Sequence, residues 1–444
     1  MNIFEKSDAF YLLAFFFIVI SLGTVMLLLP GMWTGGGAGR GTLGFTDAVF
    51  TASSAVCVAG LGTVDMSAFS RAGQIVILLL IQTGGLGIIS FSSLILTISG
   101  NRLGLNRRST IQGFYLDGVE YRPQKIVQSI IRFTLIIEAI GAAALSLLFR
   151  NYGERNWLFM GVFHAVSAFC NTGISVFSGG LQRFSGSIPI IMVLMTLILL
   201  GGIGFLVLHD VLRFITGKTK RLQYHSKVIL AMTGIIITAS SLFFIIFERT
   251  RLFRAMSMPA ALMNAIFQSV NTRSGGFDVV AQSGLTQPSK LLTAILMLIG
   301  GAPGSIAGGV KVTTVFVLFA FLFCPADKAG DIKIFRRRLT GESINKAVIY
   351  AFKALIVLAL FIIALTASEC FTEKPFGAIA FEVFSAFATV GLSLGITGDL
   401  STIGKWIIIG AMFAGRVGLI ALAFPALART NPDITYPKGT LLME

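Results

Sequence analysis

Four glycines along this 444-residue chain are each followed by an apolar residue: Gly60-Leu61, Gly173-Ile174, Gly276-Phe277 and Gly391-Leu392. The turns leading into them read Cys57-Val58-Ala59-Gly60, Cys170-Asn171-Thr172-Gly173, Arg273-Ser274-Gly275-Gly276 and Ala388-Thr389-Val390-Gly391. Glycine lets the backbone go where side chains forbid it. Four such turns meeting on one axis would present rings of carbonyl oxygens, which replace the hydration shell of a cation such as K⁺. No ring of Lys or Arg stands at the turns, as an anion pore would require. None reads TVGYG, so fewer ordered ion sites and a milder selectivity are expected, and composition leaves K⁺ against Na⁺ open. Asn171 either offers its side-chain carbonyl to the ion or holds its turn. Cys57 and Cys170 share one repeat position and are expected to pack as small apolar groups behind it. Arg273 is expected to brace the third turn. Asp65, Asp278 and Asp399 follow three of the turns, either gathering cations at a mouth or solvating loops.

The elements that would hold these turns repeat with them. Ser54, Ser167 and Ser385 stand six residues before their glycines, and Phe50, Phe163 and Phe381 ten before. In the third unit Ser269 and Phe267 are displaced by one, as if a single residue were lost. Just ahead of each turn lies an apolar run of about three helical turns: Phe45–Val56, Trp157–Phe169, Pro259–Val270 and Phe376–Phe387. Such runs are too short to cross a bilayer, which takes about 20 residues. Eight longer runs surround them: Phe10–Leu29, Ala72–Ile98, Ile126–Phe149, Ile188–Val211, Val228–Phe247, Leu291–Phe323, Ala347–Ala367 and Trp406–Phe424. The short runs are therefore expected to be re-entrant, with loop helices outside the membrane as the plainer alternative. Glycines recur in the second long run of each unit: Gly84, Gly85 and Gly87; Gly201, Gly202 and Gly204; Gly300 and Gly301; Gly415 and Gly418.

Composition agrees with a membrane chain. Hydrophobic residues make up 55% and charged residues 12%, against about 25% charged in soluble domains. That excludes an ordinary soluble enzyme, a disordered chain and a nucleic-acid arm. The net charge of +15 concentrates in three connectors. One holds Arg102, Arg107, Arg108, Arg122, Lys125 and Arg132, the next Arg213, Lys218, Lys220, Arg221 and Lys227, and the third Lys328, Lys333, Arg336, Arg337, Arg338 and Lys346. Positive connectors face the cytoplasm, which puts both termini inside and all four short runs outside. Units of one orientation are related by an axis along the membrane normal. Cys57, Cys170, Cys324 and Cys370 lack metal or disulfide spacing, and His164, His209 and His225 are dispersed, so neither a metal centre nor an enzyme is expected.

The sixth long run is irregular. Gly300, Gly301, Ala302, Pro303, Gly304, Ser305, Gly308 and Gly309 cannot form a firm helix. A broken helix whose unwound middle gates the cavity is expected, with a kinked, closely packed helix as the alternative. Lys311 and Arg416 are cations in or near spans, where charges face the interior and pair with acids or carbonyls. Arg416 stands where two other units carry Gly85 and Gly202. It either guards against leak, anchors the 300–309 loop through its carbonyls, or pairs away from the pore. Glu138 is expected to belong to a structural pair, and His164 to pack.

VNTRSGGF (270–277), IGGAPGSIAGGVKVTT (299–314), SAFATVGLSLG (385–395) and GRVG (415–418) resemble the Trk/Ktr/HKT superfamily of potassium transporters, most nearly the membrane subunits of bacterial Ktr systems. The likeness spans essentially the whole chain. It implies an all-α integral membrane protein of the bacterial inner membrane. Four membrane-helix/re-entrant pore-helix/membrane-helix repeats would surround one pore, with the pseudo-fourfold arrangement of potassium channels. The repeats would cover residues 1–100, 101–224, 225–340 and 341–428, ahead of a cytoplasmic tail at 429–444. It implies K⁺ uptake, with Na⁺ as a second candidate ion, through a filter formed by Val58, Ala59, Gly60, Asn171, Thr172, Gly173, Ser274, Gly275, Gly276, Thr389, Val390 and Gly391, K⁺ lying at the four glycines. The gate would be Gly300–Gly309 with Lys311 and Arg416. Implied partners are a second copy, forming a homodimer, and a cytosolic ring of nucleotide-binding, RCK-type regulatory subunits, beside membrane lipid. No nucleotide-binding P-loop is seen on this chain, and no nucleic acid is implied. The rival reading is a Na⁺-coupled or Na⁺-permeable secondary transporter, against which the common orientation of the repeats counts.

Overall fold

In a computed structural model, residues 3–35, 42–102, 123–325, 327, 330–334 and 337–418 are described; the side chains of 3–11, 88–102 and 123–126 are not. The basic residues Arg107, Arg108, Arg122, Lys328 and Arg336, the end of the eighth long run and the tail at 429–444 lie outside the described residues.

One pattern recurs four times. The first unit comprises α1 (Ile3–Leu28), α2 (Phe45–Val56) and α3 (Arg71–Arg102). The second has α4 (Pro123–Asn151), α5 (Trp157–Phe169), α6 (Ile188–Ile203) and α7 (Phe205–Ile215). The third has α8 (Tyr224–Glu248), α9 (Met258–Asn271), α10 (Gln287–Leu298) and α11 (Val312–Phe323). A small hairpin of β1 (Ile332–Ile334) and β2 (Arg337–Leu339), closed by Arg338 on Asp331, leads to the fourth. That unit has α12 (Gly341–Ser368), α13 (Phe376–Phe387) and α14 (Thr402–Phe413), which runs into a π turn at Ala414–Gly418.

The long helices turn large apolar side chains outward as well as into the core. Phe17, Ile140, Ile246 and Ile363 are largely exposed on the long helices. Thr51, Ser54, His164, Ser167, Asn264, Gln268, Asn271, Glu382 and Ser385, all on the short helices, are buried. Apolar side chains turned outward, around a core that also encloses polar groups, suit a surrounding of hydrocarbon. The chain is an all-α integral membrane protein.

The eight long runs are not eight uninterrupted helices. Among the described residues, Val127–Asn151, Tyr224–Glu248 and Gly341–Ser368 are each long and apolar enough to cross a membrane. The run expected as one span over Ile188–Val211 bends by 106° between α6 and α7, at Gly204 with φ +88°. The reason lies in another unit: Ala302 N donates to Gly202 O at 2.9 Å and Phe205 N to Gly304 O at 3.4 Å, so the helix opens to receive the 299–311 segment. That segment is irregular, as its glycines and proline predicted. The eighth run leaves α-helical form at Phe413.

Candidate functional site: four caps and one ring

Each short helix ends in a cap that the sequence builds locally. In the first unit Ala59 N donates to Ser54 O at 2.8 Å and Val58 N to Ala55 O at 3.2 Å. The second repeats this with Thr172 N to Ser167 O (2.8 Å) and Asn171 N to Ala168 O (3.1 Å), and the fourth with Val390 N to Ser385 O (2.9 Å) and Thr389 N to Ala386 O (3.1 Å). These are the paired bonds of a Schellman cap, whose C′ residue is left-handed and usually glycine. Here that residue is Val58 (φ +55°), Asn171 (+55°) or Thr389 (+51°), with Ser274 (+81°) in the third turn. A left-handed L-residue costs roughly 1–2 kcal/mol, and such strain persists only where the surroundings over-determine it. The glycine follows two residues later, also with positive φ: Gly60, Gly173, Gly276 and Gly391.

The recurring serine has a second use. Ser167 Oγ donates to Ile174 O at 2.7 Å, and Ser385 Oγ accepts from Gly391 N at 3.1 Å, so each pins the exit of its turn. In the third unit that task passes to Asn271, which donates to Phe277 O (2.8 Å) and accepts from Phe277 N (2.9 Å). The interval from the end of the short helix to the glycine is four residues in three units but five here. The third turn has therefore gained a residue, contrary to the expected loss, and the longer asparagine spans it. Sequence reasoning also passed over Glu382. It is buried and accepts from Ser393 Oγ (2.5 Å), Thr397 Oγ1 (2.9 Å) and Leu394 N (3.1 Å). His164 holds the matching place and bonds Ser175 Oγ at 2.9 Å. Aligning HAVSAF (164–169) with EVFSAF (382–387) pairs the two residues and would have flagged both.

The four turns meet. A Cβ placed on Gly60 would collide with Thr172 O. One on Gly173 would lie 2.7 Å from Gly275 O, one on Gly276 would collide with Val390 O, and one on Gly391 would lie 2.9 Å from Ala59 O. Each glycine thus faces the carbonyl that precedes the glycine of the next unit, and the sequence of contacts closes on itself.

Directly against this ring packs the 299–311 segment. Its base is tied by Gly300 N to Val310 O (2.9 Å) and Val310 N to Leu298 O (3.0 Å). Gly308 N donates to Ser274 Oγ at 3.2 Å, and Ser274 Oγ donates to Thr389 O at 3.1 Å. Three cations reach its carbonyls: Arg416 to Ile306 O, Lys311 Nζ to Ala307 O at 2.6 Å, and Arg273 Nη2 to Gly300 O at 3.3 Å. Arg273 therefore braces the segment, not its own turn. Ala302, Pro303, Gly304 and Ser305 form the segment's tip beside the α6–α7 break, where Ser305 Oγ donates to Ala302 O at 2.6 Å.

Other side chains settle as follows. Asn171, with its amide turned to suit its neighbours, donates to Ile198 O and Ala168 O (3.0 Å each) and accepts from Gly202 N (3.2 Å), so it holds the turn. Cys57 and Cys170 are both buried in the main apolar cluster, as expected, and Cys170 Sγ also lies 3.7 Å from Gln82 Oε1 and Glu138 Oε1. Asp65 caps Ser67 N (2.8 Å) and accepts from Ser178 Oγ (3.0 Å), a structural role, while Asp278 Oδ1 is buried with no hydrogen-bond partner among the described residues.

An all-α membrane chain whose short helices close a ring of backbone carbonyls has the build of a membrane transporter. The family described as cation transport protein, TrkH, matches residues 7–430, and the chain belongs to that family. It is a transporter, not an enzyme. It is 34% identical to the potassium/sodium uptake protein NtpJ of Enterococcus hirae, over 96% of this chain and 95% of that one. It is 35% identical to the Ktr system potassium uptake protein B of Bacillus subtilis, over 96% and 94%. The crystal structure of the potassium transporter TrkH from Vibrio parahaemolyticus matches with a TM-score of 0.75 at 20% identity, over 94% of this chain and 84% of that one, a likeness of fold.

Proposed function

We propose that this chain takes up K⁺ across the bacterial inner membrane by a channel-like path. The four turns Val58–Gly60, Asn171–Gly173, Ser274–Gly276 and Thr389–Gly391 are its filter, and K⁺ lies at their glycines. The observation that carries this reading is the closed ring formed by the carbonyls of Ala59, Thr172, Gly275 and Val390, each against a glycine of a neighbouring unit. Backbone oxygens on a pore axis suit a dehydrated alkali ion. Inward movement is driven by the membrane potential, about 2.3 kcal/mol per charge per 100 mV. The 300–309 segment is the gate, held shut by Lys311, Arg416 and Arg273. Both termini face the cytoplasm. Two copies form a dimer on a cytosolic ring of nucleotide-binding regulatory subunits; the naming of similar chains as parts of Ktr systems supports a multi-component assembly.

A Na⁺-permeable variant of the same path is favoured by one observation, the naming of the Enterococcus relative as a potassium/sodium uptake protein. Rb⁺ and Na⁺ uptake in cells lacking their own K⁺ transport separates the two. In that assay Gly276→Ser is expected to lower the preference for Rb⁺ over Na⁺, because its side chain enters the space of Val390 O. An unaltered preference in correctly inserted protein removes the filter assignment.

A further inference from the structure

Behind the second turn a carboxyl, an amide and a thiol meet among the membrane-spanning helices. Glu138 of α4 is 5% exposed. Gln82 of α3 donates from Nε2 to Glu138 Oε2 at 3.0 Å. Cys170, the first residue of the second turn, places Sγ 3.7 Å from both Glu138 Oε1 and Gln82 Oε1. No Lys or Arg forms an ion pair with Glu138 among the described residues. An ionisable group in the membrane is costly and marks functional places. The three groups come from three separate elements of two units, so the cluster joins the first unit to the turn of the second.

The turn is held on its other side as well, where Asn171 bonds Ile198 O and Gly202 N of α6. The peptide that carries Thr172 O directly follows these two anchored residues. That carbonyl faces Gly60 on one side and lies 3.1 Å from a Cβ placed on Gly276 on the other, so it is shared by two neighbours in the ring. A small shift of Cys170 therefore moves a carbonyl that two other turns approach.

We propose that Glu138 and Gln82 are positioning residues for the second turn: by holding Cys170 they set the place of Thr172 O and thereby the discrimination between alkali cations. The inference rests on the filter reading above. It predicts that the hydrogen-bonding capacity at 138 matters, and its volume alone does not.

The test uses the whole chain in cell membranes, with Rb⁺ and Na⁺ uptake measured side by side and membrane content measured by immunoblot. Glu138→Leu keeps the bulk but loses the acceptors; the Rb⁺/Na⁺ preference is expected to fall roughly fivefold, the size of one hydrogen bond's net worth. Glu138→Gln keeps an acceptor for the thiol, and the Gln82 amide can turn over to accept from it, so most of the preference returns. Cys170→Ala lowers the preference by a similar factor, and adding Glu138→Leu to it brings no further loss. Full preference in Glu138→Leu, or additive losses in the double variant, overturns the proposal. If Glu138→Leu does not reach the membrane, Gln82→Leu and Cys170→Ala give the same reading. Gly173→Ser is run alongside. If it loses preference while the Glu138 series does not, only the positioning role falls. If it too keeps preference, the filter reading has failed.

Discussion

Arg416 bonds Ile306 O from the π turn of the fourth unit, and among the described residues its Nε and Nη2 have no hydrogen-bond partner. Among the described residues its side-chain hydrogen bonding thus rests on one carbonyl of the 299–311 segment. With Lys311 on Ala307 O and Arg273 on Gly300 O, three cationic side chains hold one short stretch of backbone, and among the described residues no carboxylate pairs with them. Removing one releases a carbonyl and lowers the like-charge repulsion around the segment. Arg416→Ala is accordingly expected to raise Rb⁺ uptake while membrane content stays near normal. Unchanged uptake at equal content counts against the segment as a gate. Of the alternatives the residue types left open at Arg416, an anchor on the 300–309 carbonyls is the one the geometry selects. Arg273, expected to brace its own turn, has its partner in a distant segment, and Cys170 has polar neighbours that its motif does not show. A local motif cannot reveal such partners.

The glycines of the second long helices are explained by the ends of the short ones. A Cβ on Gly84 would collide with Val56 O, one on Gly201 with Phe169 O, and one on Gly415 with Phe387 O. In three units, then, the last carbonyl of the short helix rests on a glycine of its own second helix, and this fixes how far each turn advances. Gly201→Ala should push α5 and its turn outward, lowering thermal stability by about 1–3 kcal/mol as overpacking does. Gly202→Ala, whose added carbon lies 3.4 Å from only the Asn171 amide, should be much milder. Equal melting temperatures for the two purified variants would refute the contact. Acidic residues tie the other ends. Glu248, at the end of α8, accepts from Thr286 N (2.8 Å) and Oγ1 (2.7 Å) ahead of α10. Glu369, just past α12, accepts from Ser401 N (2.8 Å) ahead of α14 and pairs with Lys374 at 2.6 Å. Burial raises the Glu369 carboxyl's pKa, but the bonds from Lys374 and Ser401 outweigh it and leave the group below its usual value.

On the scale of the whole molecule the first and last units must meet for the ring to close. Asp47, at the start of α2, pairs with Lys405 of α14 at 2.8 Å, across 358 residues of sequence. Both side chains are largely buried, and breaking such a pair from one side leaves an uncompensated charge that costs about 3–5 kcal/mol. Lys405→Met is therefore expected to destabilise the protein markedly, and Asp47→Asn added to it to recover most of the loss. A double variant no more stable than Lys405→Met means that the pair does not close the ring. Other joints lie between neighbours in sequence, such as Leu181 N to Asp278 O at 3.0 Å and Asn264 Nδ2 to Ser185 O at 2.8 Å.

Read alone, the residues determine what is local. Apolar run lengths set the short and long helices, and the repeated Ser and Gly offsets located the four turns, because a cap and its glycine lie within one or two turns of a single helix. The glycines and proline at 300–309 announced a break, since propensity acts on consecutive residues. Tertiary contacts alone decided the 106° bend at Gly204 and the setting of Glu138 among Gln82 and Cys170. Each depends on the distance between backbones far apart in sequence, and hydropathy and spacing carry no measure of that distance.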